Sequence, residues 1–421
     1  MAVAWETMFG DGLAALDPEI SGLIDAQRTQ NAATVNLVAS ETYCPRATLE
    51  AEASVLVNKN ASGYPPRRSV GGGEILDRIE LLACERARRL FGAEHANIQA
   101  LSSTLANVAV VRGLLRPGDR ILSFDAAAGG HGSHGGAGHL SGQDYVVRSF
   151  GVDERTGLLD LEGARRTARE FRPHIVIAGS SSYPRAIDFA AVGAIAAEVG
   201  ALTFADIAHV AGLIVAGLHA NPTPHYDVVT TSTHKTLCGP RTGGLILCRS
   251  AHAAAIDAAL MPGLQAAPGA HIIAARAALF ALVARPEFTV LMRGVVANAR
   301  ALAEGLREGG AVLYCGGTDT HMVVVDLRGG PWSAADLNAR LLRHGIVAST
   351  TGLPADPARQ GRLGLRVGTT AMTIRGAGEP DLRAMGRAVA HLLAAGPAAP
   401  DDPSVAGAIA GLAGRFPVPA A

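Results

Sequence analysis

The stretch Ala201-Leu-Thr-Phe-Ala-Asp-Ile-Ala-His209, followed by Asp227-Val-Val-Thr-Thr-Ser-Thr-His-Lys235-Thr236, decides the reading of the fold. Each segment opens as a short apolar or β-branched run, about five residues long, and closes on polar groups. Runs with no polar face read as central strands of a mostly parallel sheet, buried on both sides. The same texture recurs at Arg120–Phe124 after the turn Pro117-Gly-Asp119, at His174–Gly179 after Pro173, and at Gly244–Cys248. Helix-period segments lie between them. Ile75 to Leu90 is expected to bury Ile75, Ile79, Leu82 and Ala83 on one face; Thr104 to Leu115 and Ala190 to Val199 also fit. Strand alternating with helix predicts an α/β layered domain.

Past about residue 285 the texture changes. A long helix is expected over Val290 to Glu308, then a strand Met322–Leu327, a helix Ser333–His344 and a second strand Leu363–Val367. The division expected is an N-terminal arm over 1–30, a large domain over 31–285 and a smaller α+β domain over 286–421. Within the last, Ala394 to Ser404 reads as loose.

Composition narrows the function. The chain has 421 residues, with 37 Lys+Arg against 37 Asp+Glu. Binding a phosphate backbone needs a basic surplus, so nucleic acid is not an expected partner. Hydrophobic residues make up 48%, enough for a sizeable core. The 50 glycines point to many tight turns and close backbone approaches. Cys44, Cys84, Cys238, Cys248 and Cys315 are odd in number and form no Cys-x-x-Cys pair, which fits a reducing compartment. Met1 to Gly10 has no basic segment leading into an apolar run, and the most apolar zone is broken by Glu198, Asp206 and His209. Neither a secretory signal nor a membrane span is expected, and the location expected is cytoplasmic.

Five places carry chemistry. Lys235 follows a buried strand in a hydroxyl-rich segment, the setting of a Schiff-base lysine; a solvated lysine at a strand end is the other reading. Asp206 ends a strand, where it can pair with a protonated ring nitrogen or cap a helix. Ser102, Ser103 and Thr104 precede a helix, so they form an anion site or an ordinary cap. The run Gly129-Gly-His131-Gly-Ser-His134-Gly-Gly136 lets the backbone approach a flat ligand, with an imidazole to stack or move protons. A metal site built from His131, His134 and His139 lacks a carboxylate or Cys to complete it, so none is expected. Arg366 lies in Gly364-Leu-Arg-Val-Gly368, where it either clamps a carboxylate or lies on an edge strand.

In this order and at these spacings the places resemble the serine hydroxymethyltransferase family of fold-type-I enzymes that use pyridoxal 5'-phosphate. The resemblance spans roughly 8 to 392. It is most specific over Asp206–Pro222 and Asp227–Arg241, with support from Leu37-Val-Ala-Ser-Glu41, Arg67–Glu74, Met261-Pro-Gly-Leu-Gln265 and Gly316-Gly-Thr-Asp-Thr-His321. It implies an aspartate-aminotransferase-like large domain with a mixed, mostly parallel sheet and a smaller α+β C-terminal domain. It also implies residue roles. Lys235 matches the lysine that holds the cofactor, Asp206 the partner of the pyridine nitrogen, and His131 the imidazole stacked on the ring. His209 and Ser181 match contacts of the ring hydroxyl. Ser102, Ser103 and Thr104 match the phosphate loop. Ser232 and His234 flank the lysine within its motif, and Ala266 and Ala267 stand where the family has Gly-Gly beside the phosphate. Arg366 and Ser40 match contacts of the substrate carboxylate. The resemblance further implies a homodimer or tetramer with shared sites, the partner supplying the segments matching Asn60–Gly73 and Gly263–Pro268.

The departures cluster on one side. The family's Tyr-Ala-Glu-Gly-Tyr-Pro reads Asn60-Ala-Ser62-Gly-Tyr64-Pro here, and its tyrosine pair reads Ser69-Val70. Gly132 replaces a leucine that packs on folate, and Ser349-Thr-Thr351 replaces Asn-Lys-Asn. A serine hydroxyl cannot serve as a carboxylate acid/base near neutral pH. The expected activity is therefore reversible Cα–Cβ cleavage of a β-hydroxy-α-amino acid, with Thr, Ser or Gly as the amino-acid substrate and an aldehyde as its partner, independent of folate. His131 and a water are the candidates for moving the hydroxyl proton. A conventional tetrahydrofolate-dependent enzyme, or a non-catalytic scaffold of the same fold, is the alternative.

Overall fold

The computed structural model describes residues 9–153, 155–355 and 361–419. Neighbouring residues of each buried strand enter different hydrophobic clusters, as a period of two requires. Ile121, Ile177, Phe204, Val228 and Ile246 pack with Ala106, Val110, Ile256 and Leu260 on one face. Leu122, Ala178, Ala205, Val229 and Leu245 pack with Val192, Ile195, Leu213 and Phe280 on the other. The strands are β1 (His95–Asn97), β2 (Arg120–Phe124), β3 (Val146–Phe150), β4 (Ile175–Gly179), β5 (Leu202–Asp206), β6 (Val228–Ser232) and β7 (Gly244–Cys248). They form one sheet in the order β1-β7-β6-β5-β4-β2-β3. β2 through β6 run parallel, and β7 runs antiparallel to both β6 and β1. The register sets Gly179 opposite Asp206 and Asp206 opposite Thr230, so β4 and β5 end level while β6 runs two residues further, to Ser232.

Helix Glu74–Phe91 departs from its expected face. Leu76, Glu80, Ala83 and Ala87 are buried, while Ile75 and Leu82 are exposed. A buried ion cluster turns it: Arg68 reaches both Asp77 and Glu80, and Gln99 Nε2 donates to Glu80 at 2.7 Å. Removing one member of such a cluster leaves a buried charge without its partner.

The smaller antiparallel sheet takes β8 (Met322–Asp326), β9 (Ser349–Gly352) and β10 (Leu363–Gly368), with β10 in the centre. Helix Pro286–Glu308 belongs to both cores. Phe288, Met292, Val295 and Val296 enter the first, whereas Ala301, Leu302 and Leu306 enter the second. Val35 and Leu37, expected within the large domain, also fill the second core, because Val35–Asn36 pairs in parallel with Ile346–Val347.

The tail expected to be loose leads into helix Pro403–Arg415. Asp402 caps it by accepting from the N–H groups of Ser404 and Val405, with Pro403 at the first helical position. Buried Arg375 ties this helix to helix Pro18–Ala33. It donates to the carbonyls of Asn31, Ala32 and Thr34 on one side and of Ala413 and Phe416 on the other. Helix C-termini leave carbonyls without intrahelical partners, and a guanidinium answers them well.

Candidate active site

Each candidate follows the carboxyl end of a strand: Ser102 after β1, His131 after β2, Ser181 after β4, Asp206 on β5 and Lys235 after β6. A crevice at that edge is where open α/β sheets place their ligands.

Asp206 is buried and accepts three hydrogen bonds. Asn107 Nδ2 at 2.8 Å and His134 Nε2 at 3.0 Å share Oδ2, and the Ala208 N–H reaches Oδ1 at 2.9 Å. Burial alone raises a carboxyl pKa. Here the His134 hydrogen bond and the charges of His134, Lys235 and His131 outweigh burial and hold Asp206 well below the usual range. A carboxylate oxygen accepts two bonds, so Oδ1 keeps one lone pair for a ligand's ring N–H.

His131 is half-buried. Its Nδ1 accepts from the Ser133 N–H at 3.2 Å and meets Ser133 Oγ at 2.7 Å. The loop that carries it is pinned at Gly129, whose φ is +122° and whose missing Cβ would lie 2.9 Å from Tyr183. The Gly129 carbonyl accepts from Ser181 N–H at 2.7 Å, which ties the His131 loop to the end of β4.

Lys235 Nζ has no hydrogen bond or ion pair among the described residues. Burial pushes its pKa down to about 8; attraction from Asp206 opposes this, and repulsion from Arg366 and Arg241 adds to it. A lysine in that range keeps a substantial neutral, nucleophilic fraction near neutral pH. Beside it, buried Ser232 Oγ and His234 Nδ1 have no partner among the described residues. Burial, then Lys235 and Arg241, bring His234 down to about 4.

Ser102 caps helix Ser103–Leu114, its Oγ accepting from Leu105 N–H at 3.0 Å. The Ser103 and Thr104 hydroxyls and the first turn's N–H groups stand together there, groups of the kind that could hold an anion. Ala266 and Ala267 offer no polar side-chain atom, and among the described residues no hydrogen bond joins either to this crevice. Their neighbour Gln265 does reach the approach to the helix, with Nε2 on the Gln99 carbonyl at 2.8 Å and Oε1 accepting from Leu101 N–H at 3.3 Å.

Arg366, in β10, crosses from the small sheet to the crevice. Its Nη1 donates to the Ser181 carbonyl at 2.7 Å and its Nε to Ser349 Oγ at 3.1 Å. It has no carboxylate partner among the described residues, and burial lowers its pKa. Ser40 is half-buried in the turn that starts at Ala39, whose carbonyl accepts from buried His321 Nε2 at 3.1 Å. His321 in turn stacks on His209, with ring centroids 5.4 Å apart. Burial brings His321 to about 3 and holds His209 well below its ordinary value, so both rings are neutral.

The fold thus brings together Lys235, Asp206, His131, His209, Ser181 and Arg366, and leaves Ala266 and Ala267 unconnected to them by hydrogen bonds. Sequence reasoning missed Asn107, Ser133 and Thr230, and it weighed His134 only as a metal ligand. Their one signal was polarity inside apolar or glycine-rich segments. Among the described residues no group of three or more His, Cys, Asp or Glu side chains could hold a metal ion.

Hydroxyls and N–H groups at a helix N-terminus, a buried carboxylate with a spare lone pair, a partnerless lysine and partnerless buried polar atoms suit a ligand with a phosphate, a basic ring nitrogen and a carbonyl carbon. The fold and the site define a pyridoxal-phosphate enzyme of fold type I. The family profile described as serine hydroxymethyltransferase matches residues 13–389, and the chain belongs to that family. Its members are pyridoxal-phosphate-dependent transferases working at Cα–Cβ bonds of glycine- and serine-type substrates, and pyridoxal 5'-phosphate is the cofactor. Among the described residues no helix is long and apolar enough to cross a membrane.

Proposed function

We propose that the protein cleaves and forms the Cα–Cβ bond of a β-hydroxy-α-amino acid reversibly and without tetrahydrofolate. Threonine, serine or glycine is the amino-acid substrate, and an aldehyde is the second. When bound, pyridoxal phosphate supplies a sink for the electron pair left at Cα. Lys235 attaches it, and Asp206 keeps its ring nitrogen protonated. Ser102, Ser103 and Thr104 take the phosphate together with Ser232 and His234, and the segment that carries Ala266 and Ala267 comes to it from the partner subunit. His209 and Ser181 would contact the ring hydroxyl, and His131 would stack on the ring. Arg366 and Ser40 orient the substrate carboxylate.

Gly132 carries the folate-independent part. Its φ is not in the left-handed region, and a Cβ placed there would meet nothing within 4 Å. Neither backbone conformation nor packing within the chain demands glycine beside His131, so the residue leaves open volume there. Two further features support this reading. The Ser349 hydroxyl accepts from Arg366 Nε and donates to the Arg366 carbonyl, which leaves a pterin one lone pair and no proton there. Ser62 offers no carboxyl, and its N–H donates to Asn60 Oδ1 at 2.8 Å.

A homodimer is part of the proposal. Helix Pro18–Ala33 buries none of its residues within the chain, and Leu13, Leu16, Ile20 and Leu23 stay exposed, as do Val70 and Ile75. Five free cysteines are consistent with a cytoplasmic location.

The test is acetaldehyde release from threonine by the holoenzyme with and without tetrahydrofolate, paired with calorimetric titration of 5-formyltetrahydrofolate in the presence of glycine. Folate-free cleavage without measurable folate binding is expected. Tight folate binding with no folate-free cleavage of any β-hydroxy-α-amino acid returns the protein to conventional hydroxymethyl transfer.

A further inference from the structure

Hydrogen bonds around His131 determine which ring nitrogen carries its proton. A backbone N–H can only donate, and that of Ser133 meets Nδ1, so Nδ1 is a bare acceptor. Because Nδ1 carries no proton, the 2.7 Å contact with Ser133 Oγ has the hydroxyl donating to Nδ1, and that oxygen accepts in turn from Asn107 Nδ2 at 2.8 Å. The Asn107 amide is fixed in turn. Its Nδ2 faces the Asp206 carboxylate, and its Oδ1 takes the Thr230 hydroxyl proton at 2.6 Å. Turned over, the amide would set its oxygen against the carboxylate. Thr230, Asn107 and Ser133 are all buried, so the polarity of the chain is held along its length.

With Nδ1 occupied, the neutral ring holds its proton on Nε2. That atom has no partner among the described residues and is not sealed from solvent. A nitrogen that already bears a proton cannot take another.

We propose that Ser133 is a positioning residue that locks His131 as an Nε2–H donor, and that His131 serves the oxygen of the second substrate as a hydrogen-bond donor and not as a base. The proton of the β-hydroxyl then leaves through water. Four groups face the ring: Asp206 from β5 and Lys235 from beyond β6, with His134 and His139 from its own loop. Burial disfavours the charged ring, Asp206 favours it, and His134, Lys235 and His139 disfavour it. His139 is an internal comparison, since its Nδ1 likewise accepts a backbone N–H, from Ser141 at 3.1 Å.

The donor role rests on the aldol reading, but the tautomer does not, so the tests separate them. Carbon and nitrogen NMR of histidine-labelled holoenzyme, with the His131 signals assigned by their loss in His131→Gln, reads the tautomer without turnover. Nε2–H at neutral pH is expected; Nδ1–H or a doubly protonated ring overturns the lock. In threonine cleavage, His131→Gln, which keeps an N–H donor, should outpace His131→Phe, which keeps only a ring. Equal or reversed rates overturn the donor role. Ser133→Ala should lower kcat several-fold with KM held, and Ser133→Thr should restore it. An unchanged kcat in Ser133→Ala removes the hydroxyl from the mechanism.

Discussion

Around Asp206 and Asn107 every hydrogen-bonding position but two, one lone pair on Asp206 Oδ1 and one on Asn107 Oδ1, is taken by a protein group, and the arrangement admits one orientation of each side chain. At Gly132, the position assigned to the second substrate, a Cβ would meet no atom of the described residues within 4 Å. The first region is built to hold one fixed ligand with little reorganisation, which is how an electrostatic site gains its effect. The second sets few steric limits, so changes there alter which partner is used before they alter whether chemistry occurs.

The largest effect is expected at Lys235. Lys235→Ala should lose the covalent cofactor attachment, seen as loss of the violet absorbance band, and all turnover. In the parent protein, attachment requires the neutral amine. The rate of cofactor uptake by apoenzyme should therefore rise with pH through about 8, and a midpoint near 10.5 would mean that burial does not tune the lysine. Next, Asp206→Asn should keep the fold and lower turnover by at least about 100-fold, each ~1.4 kcal/mol being tenfold. A loss of only a few-fold would remove the ring-nitrogen role. Arg366→Ala should weaken amino-acid binding by about 2–5 kcal/mol, read as a raised KM; an unchanged KM would move the carboxylate site elsewhere. The smallest effect on threonine cleavage is expected from Gly132→Leu. It should leave that reaction within a few-fold while cutting turnover of bulky aldehydes, and equal losses for all aldehydes would show that the open volume is not where the second substrate lies.

The contrast also explains what the sequence revealed. β2, β4, β5, β6 and β7 were legible because burial on both faces leaves an unbroken apolar run, and Lys235 and Asp206 because they close such runs. The buried face of helix Glu74–Phe91 was misread because Glu80 is inside, a placement that depends on Arg68 and on no local periodicity. Helix Pro403–Arg415 did carry a start signal, Asp402-Pro403, but its alanines and glycines gave no clear stripe. Asn107 and Ser133 acquire meaning only when β5, β6 and the His131 loop meet, and the tie between Ser349 and Arg366 needs β9 and β10 paired. Local signals named the groups that face the ligand, while the groups that orient them depend on long-range contacts.

Arg375 gathers carbonyls from the far ends of two helices hundreds of positions apart. Whoever trims the chain from residue 403 onward as a dispensable appendage also loosens helix Pro18–Ala33. The cation would lose two of its five acceptors and keep only those at Asn31, Ala32 and Thr34. From there the backbone runs directly through Val35 into the Ser40 turn. A truncation there would thus be felt at the turn that carries Ser40, and the two helix ends are better treated as one mechanical part.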